Sequence, residues 1–198
     1  GAATPPLTAP APATATARAI DDAPCVTHIK ENHTYTANNA TYRTDHYGRP
    51  YLARVVGLKA RKEDRGDCQK DMRLWIGANY DSGHLIAASL QGPDRRYNLV
   101  PQWNNLNRKT YRILEVKAAA CVRDYGGSIP EYIVQVNYPS TGADIYPVSF
   151  TLSMRIEKNG KGQTYTENFA NRELGDDETA AIRDRIDRSF RAVLCDRR

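Results

Sequence analysis

The chain has 198 residues, of which 40% are hydrophobic and 26% are charged, and its formal net charge is +5. This length and composition suit one domain with a real core, and no run of about 20 apolar residues is present that could cross a membrane. The excess of basic residues favours a polyanionic partner such as nucleic acid, because contacts to phosphates release counterions.

The first 23 residues are rich in Ala, Pro and Thr and carry almost nothing that a core could bury. This composition predicts an extended linker over residues 1–23 and a folded domain over residues 24–198. The stretch lacks the basic start and the apolar segment of a signal peptide. Because the chain begins with Gly1, we expect a mature or excised piece of a secreted, extracellular protein.

Four cysteines are widely separated, with no CxxC pair and no histidine at zinc-ligand spacing. This pattern argues against a structural zinc site and favours two disulfides, for which three pairings are open. We favour Cys25 with Cys68 and Cys121 with Cys195, because the second pair would join a central helix to a C-terminal helix. Four buried thiols in a reducing compartment are the alternative.

The N-terminal half of the domain predicts short strands separated by turns. Strands are predicted over 34–36, 40–44, 52–60 and 72–79. A charged loop covers residues 61–70, between the last two of these strands. Pro101 holds the residue before it in an extended conformation, so the next helix begins only after it.

The second half predicts a helix, a set of strands and a second helix. The first helix runs from an N-cap at Asn104 or Asn105 to about Tyr125. Alternating apolar residues predict strands over 131–138, 148–158 and 163–169. The segment 176–194 is an amphipathic helix with acidic residues at its start. We therefore predict an α+β fold with a central antiparallel sheet and a C-terminal helix.

The residues that could carry chemistry are concentrated between Tyr80 and Glu115. Hydrolysis of a phosphodiester needs a base with a pKa near neutrality, and His84 could supply it. Mg²⁺ takes few protein ligands, all of them oxygens, and Asn107 and Glu115 carry such oxygens. These two residues are eight positions apart, about two turns plus roughly 80° on an α-helix. The side chains of Asn107 and Glu115 could therefore face the same side of the helix.

The order of motifs in this stretch resembles the DNA/RNA non-specific endonuclease family. The motifs are Asp-x-Gly-His at 81–84, Asn-Leu-Val-Pro-Gln at 98–102, Leu-Asn-Arg at 106–108 and Leu-Glu at 114–115. The resemblance implies a ββα-metal (His-Me finger) core. It also implies an enzyme that hydrolyses DNA and RNA with little sequence preference, using one Mg²⁺ or, as a substitute, Mn²⁺.

Position by position, the resemblance implies a role for each residue. His84 would be the general base and Asn107 the protein ligand of Mg²⁺. Glu115 would hold metal-bound water, and Asn98 would steady the loop around the histidine. Asp81 would support these groups without touching the metal.

Ser82 is a departure, because the family usually has an arginine there that would contact phosphate or stabilise developing charge. Either another arginine takes over this role or activity is reduced. The candidates for contact with the substrate are Arg61, Arg65, Arg95, Arg96 and Arg108.

Two other functions stay open at this point. A metal-independent ribonuclease would use His84 and a second histidine on the 2′-hydroxyl. A non-catalytic nucleic-acid-binding module is favoured by Ser82 and by the basic charge. The expected partners are the DNA and RNA backbones, with no membrane. The stretch 42–49 resembles the entry to nuclease domains of secreted bacterial toxins, and a toxin would require an acidic inhibitor, or immunity protein, in its producer.

Overall fold

A computed structural model of the protein describes residues 19–196. The strands are β1 (Thr34–Ala37), β2 (Ala40–Thr44), β3 (Pro50–Val56), β4 (Tyr80–His84), β5 (Leu99–Trp103), β6 (Ser128–Asn137), β7 (Ser149–Lys158) and β8 (Lys161–Ala170). The helices are α1 (Cys68–Met72), α2 (Arg112–Asp124) and α3 (Asp176–Ala192), and a π-helix (Leu106–Tyr111) continues directly into α2. The predicted α+β organisation is confirmed.

Six of the strands form one antiparallel sheet in the order β1-β2-β3-β6-β7-β8. Alternate residues of β6 and β7 are buried, as their sequence pattern predicts. The buried face carries large side chains such as Tyr132, Phe150 and Phe169, and α2 and α3 pack into the same core. Burial of this apolar surface on one side of the sheet is the main source of stability.

The remaining two strands, β4 and β5, form a separate antiparallel pair. A short segment after β5 leads into the π-helix and α2, so the chain order here is strand, strand, helix. This is the ββα arrangement expected from the sequence. In the sequence this unit is inserted between β3 and β6, which are neighbouring strands of the large sheet.

One strand prediction is wrong. Residues 72–79 are not extended, because the chain forms α1 at 68–72 and then turns until β4 begins at Tyr80. The apolar residues that suggested a strand have different environments. Met72, the last residue of α1, is fully buried, whereas Leu74 is 87% exposed. Asn105 precedes the π-helix, at one of the two predicted N-cap positions, but its side chain makes no capping bond: its backbone is already helical and its amide donates to Glu173 at 2.9 Å.

Both favoured disulfides are present. Cys25 is bonded to Cys68, which attaches α1 to the segment before β1, and Cys121 is bonded to Cys195, which attaches α2 to the segment after α3. Residues 1–18 of the predicted linker lie outside the described residues. Ile20 forms a bridge with Ala37 at the sheet edge. None of the helices within residues 19–196 is both long enough and apolar enough to cross a bilayer.

Candidate active site

The strand β4 carries two of the predicted site residues, Asp81 and His84, and is paired with β5 through the registers Asp81 with Gln102 and His84 with Leu99. Gly83 lies between them on β4. A Cβ atom at Gly83 would clash with the buried side chain of Gln102 on β5. The glycine is therefore required by the close packing of the two strands.

Two hydrogen bonds hold the helix against β4 on either side of His84. The amide nitrogen of Asn107 donates to Asp81 Oδ2 at 3.0 Å. The hydroxyl of Tyr111 donates to the carbonyl of Leu85 at 3.1 Å. Because one bond precedes His84 on the strand and the other follows it, the first turns of the helix lie alongside the histidine.

The π-helix alters the rotation that the sequence suggested. In a π-helix each N–H reaches one residue further back than in an α-helix, so each residue advances through a smaller angle. The offset between Asn107 and Glu115 is therefore smaller than the roughly 80° of a regular α-helix. Tyr111 lies midway between them, four residues from each, and all three lie along one stripe. A π-helical segment is often found at functional sites.

Asp81 is the centre of a small polar cluster. Besides Asn107, it accepts bonds from Arg108, with Nε at 3.0 Å and Nη2 at 2.8 Å. The donor side of the Asn107 amide is thereby fixed on Asp81. No described residue donates a hydrogen bond to the carbonyl oxygen Oδ1 of Asn107, which is left free to bind another group.

His84 is half-buried at the end of β4. Burial lowers its pKa to about 4, an effect that the negative charge of Asp94 opposes and the positive charge of Arg65 reinforces. The imidazole is therefore neutral at pH 7, and a ring nitrogen retains the lone pair that a general base needs.

Glu115 is also half-buried, and in residues 19–196 it has neither a hydrogen-bond donor nor an ion-pair partner. Burial raises its pKa to about 8, although the charge of Arg112 acts in the other direction. Its charge in turn contributes to raising the pKa values of Tyr111 and Tyr132. The Tyr132 hydroxyl is buried without a partner as well. Glu115 therefore holds a proton at pH 7 in the absence of a metal, and a nearby cation would lower its pKa and favour the carboxylate.

Asn98 is fully buried and holds the loop after His84 in place. Its Oδ1 accepts the N–H of Ile86 at 2.9 Å, and its Nδ2 donates to the carbonyls of Ile86 and Pro93. The main-chain carbonyl of Asn98 also accepts the N–H of Leu85. Asn98 thus positions the strand end that carries His84 and does not point at a reacting group.

Of the arginines expected to contact substrate, Arg96 is a wrong prediction. Its side chain is 0% exposed, and its guanidinium donates to the main-chain carbonyls of Val26, Thr27 and Leu99. Burial lowers its pKa to about 10. Arg96 therefore ties the N-terminal segment to β5 and has no surface for a phosphate.

The other arginines differ in how freely their side chains are held. Arg108 is exposed but is bound to Asp81, and Arg95 donates to the carbonyl of Asp94 and lies 3.4 Å from Asp22. Arg61 and Arg65 are exposed, and their side chains have no partner among the described residues. Tyr111, Gln69 and Asp94 were not predicted as part of the site. Only Tyr111 had a usable signal, which is its spacing from Asn107 and Glu115.

The residues present fit a hydrated hard cation. The free amide oxygen of Asn107 and the carboxyl group of Glu115, once ionised, are both hard oxygen donors, which Mg²⁺ prefers while keeping most of its water. Within residues 19–196 no cluster of three His, Cys, Asp or Glu side chains could enclose a metal. A site with few protein ligands is therefore the arrangement that this chemistry allows.

Residues 31–158 match the family of DNA/RNA non-specific endonucleases. The chain belongs to this family. The fold of this endonuclease is similar to a solved structure described as the Sda1 nuclease with bound zinc ion, with a TM-score of 0.53 at 17% identity, covering 70% of this chain and 76% of that one. A structure described as an extracellular endonuclease gives a TM-score of 0.42 at 14% identity over 65% and 75% of the two chains. No curated protein sequence matches significantly.

Family membership makes the chain a nuclease, and the family is metal-dependent. The match also includes the whole of the ββα unit, from β4 to the end of α2. The binding-module alternative and the metal-independent ribonuclease are therefore less well supported than they were from the sequence alone.

Proposed function

We propose that this endonuclease is secreted and hydrolyses phosphodiester bonds of both DNA and RNA, with His84 as the general base and one Mg²⁺ held by Asn107. The observation that carries the proposal is the pair of hydrogen bonds from Asn107 and Tyr111 that flank His84 on β4. They support a single site in which a neutral imidazole, a free amide oxygen and the Glu115 carboxyl group act together.

In the proposed reaction, neutral His84 takes a proton from a water molecule while the oxygen of that water bonds to phosphorus. The bond from phosphorus to the 3′ oxygen breaks, the 3′ oxygen takes up a proton and the phosphate stays on the 5′ side. No step uses the 2′-hydroxyl, so deoxyribose and ribose backbones should both be cut. Contacts to backbone phosphates position the substrate without specifying its sequence.

The metal would offset the negative charge that develops on the phosphoryl oxygens. Asn107 Oδ1 would be its protein ligand, with Asp81 holding the amide in the required orientation. Glu115 would balance the charge of the ion through water. Mn²⁺ is the expected substitute because it accepts the same oxygen donors.

Secretion is supported by the two disulfides, which persist in oxidising environments. We also propose that residues 1–23 act as a linker to a delivery or export segment. If the chain is part of a toxin, an acidic inhibitor from the producing cell would complement its positive charge.

The test is digestion of plasmid DNA and of RNA with Mg²⁺, Mn²⁺, Zn²⁺ or EDTA, comparing the wild-type chain with His84→Ala. We expect both substrates to be cut with Mg²⁺, and neither with EDTA or by His84→Ala. His46→Ala is the matched control, since His46 is exposed on the turn before β3, and it should cut normally. Cleavage of RNA alone in EDTA would establish the ribonuclease alternative. Intact plasmid together with a gel shift would establish the binding module.

A further inference from the structure

Ser82 lies on the same face of β4 as His84, because alternate residues of a strand point the same way. Its side chain is 0% exposed. The Ser82 hydroxyl donates to the carbonyl of Gln69 at 2.8 Å, and the Gln69 amide donates back to the carbonyl of Ser82 at 3.1 Å. The first turn of α1 therefore covers the position from which the family's arginine would extend.

The segment that covers Ser82 is fixed at several points. Asp94, which is buried, accepts the main-chain N–H of Gly66 at 3.0 Å and that of Gln69 at 2.7 Å. Gly66 packs so closely that a Cβ atom would lie 3.2 Å from the carbonyl oxygen of Asp94. The disulfide from Cys68 to Cys25 anchors the same segment covalently. The backbone at residues 66–69 is thus held firmly beside the His84 face of β4.

Arg65 is the residue immediately before this fixed segment. Its side chain is exposed, and no acceptor or carboxylate in residues 19–196 engages it. Its charge is close enough to His84 to lower the pKa of that histidine. Arg65 therefore presents an uncompensated guanidinium near the proposed base, on a backbone that the Asp94 bonds hold in place.

The other arginines are less suitable. Arg96 is buried, and Arg108 and Arg95 are engaged by Asp81 and by the Asp94 and Asp22 region. Arg61 is exposed in the same loop, but it lies four residues further along the chain from the segment that covers Ser82 than Arg65 does, and its backbone is held by the bond from the N–H of Gln91 to its carbonyl.

We infer that Arg65 replaces the family's missing arginine and contacts the scissile phosphate from the segment that covers Ser82. A planar guanidinium can donate two parallel bonds to phosphate oxygens, so it binds the substrate and stabilises charge that develops in the transition state. This inference rests on the proposed function, because it requires a phosphate beside His84.

The test compares Arg65→Ala, Arg65→Lys and the control Arg191→Ala, at an exposed arginine in the last turn of α3, in steady-state cleavage of a DNA duplex at saturating Mg²⁺. Loss of one group that stabilises the transition state lowers kcat by about 100-fold, and we expect this for Arg65→Ala with an unchanged melting temperature. Arg65→Lys should recover part of the loss. Arg191→Ala should stay within about threefold of the wild type, the scale of a surface substitution.

A second measurement separates substrate contact from a structural effect. In the His84→Ala background, which cannot cut, adding Arg65→Ala should reduce the slope of log binding constant against log salt by about 1, as loss of one phosphate contact does. Equal cleavage by Arg65→Ala and Arg191→Ala, with wild-type and His84→Ala behaving as proposed, would overturn the inference alone. A wild-type chain that does not cut would overturn the proposed function.

Discussion

The side-chain amide of Asn107 donates a 3.0 Å hydrogen bond to Oδ2 of Asp81. The oxygen of the same Asn107 amide accepts no hydrogen bond from the described part of the chain. A primary amide has a donor side and an acceptor side, so this bond decides which way the Asn107 group faces. Asp81 thereby sets the position of the proposed metal ligand without binding the metal itself.

Asp81→Asn should weaken metal binding while preserving the fold. The single oxygen of an asparagine at position 81 could accept at most two of the three bonds that the carboxylate accepts, and its NH₂ group would face the Arg108 guanidinium, so Asn107 would be held less firmly. Loss of such a supporting group lowers metal affinity by about 10–100-fold. The affinity can be measured by titrating activity with Mg²⁺. Asp184→Asn is the control, because Asp184 forms an exposed ion pair with Arg188 on α3. Equal Mg²⁺ affinity in both variants would contradict the role of Asp81.

The acid limit of activity should lie well below neutrality. His84 must be unprotonated to accept a proton, and burial lowers its pKa to about 4. At saturating Mg²⁺, kcat/KM should hold steady from pH 8 down to about 5, and should fall tenfold per pH unit below about 4. Circular dichroism at each pH establishes that the chain is folded. A midpoint near 6.5, the ordinary value for histidine, would contradict the lowered pKa of His84.

Glu115→Gln should remove a pH dependence of stability in EDTA. Burial raises the Glu115 pKa from 4.5 to about 8, so the folded state keeps a proton that the unfolded state has released between these values. The stabilisation is therefore complete below about pH 4.5 and is lost as pH rises through about 8.

The free energy of unfolding of the wild type should consequently fall between pH 5 and pH 9, whereas that of Glu115→Gln should change less. At pH 9 the variant should be the more stable by about 2–4 kcal/mol. Urea denaturation at each pH measures this. Glu131→Gln is the control, since Glu131 pairs with Arg54 on the exposed face of the sheet, and it should retain the wild-type slope. Parallel slopes for all three proteins would show that Glu115 is not buried as a neutral acid.

The two disulfides should differ in their effect on activity. The closed loops span 43 and 74 residues, so paired Cys→Ser replacement at either disulfide should lower stability by about 3–4 kcal/mol. Only the loss of Cys25–Cys68 should also lower kcat at a temperature where both variants are folded, because that bond anchors the segment over Ser82. The measurements are chemical denaturation and plasmid cleavage. Equal kcat values would mean that hydrogen bonds alone hold α1 in place.

Much of the fold follows from local patterns. The alternation in β6 and β7 and the amphipathic pattern of α3 predicted those elements to within a few residues, since each buries one face against the core. The residues of the site were predicted from motif order. Their mutual placement depends on the Asn107 and Tyr111 hydrogen bonds, which join residues distant in sequence and leave no periodic signal.

The failures have physical causes as well. The apolar residues from Met72 to Ile76 suggested a strand, but the chain uses them in a helix end and a turn fixed by the disulfide at Cys68. Residues 80–84 were not predicted as a strand, yet they form β4, in which Gly83 allows the close approach of Gln102. Arg96 was expected to contact the substrate at the surface. Burial of an arginine requires a set of carbonyl acceptors, and only the folded chain brings these together.

The disulfides form two closed loops that do not overlap, one from Cys25 to Cys68 and the other from Cys121 to Cys195. The residues from Asp81 to Glu115 lie in the stretch between them, outside both loops. A protease that cuts once inside either loop leaves the two fragments joined covalently. A single cut within residues 69–120 divides the chain into two pieces that separate on a denaturing gel without reductant. The catalytic stretch is thus the one part of the chain between Cys25 and Cys195 whose continuity depends on its peptide bonds alone.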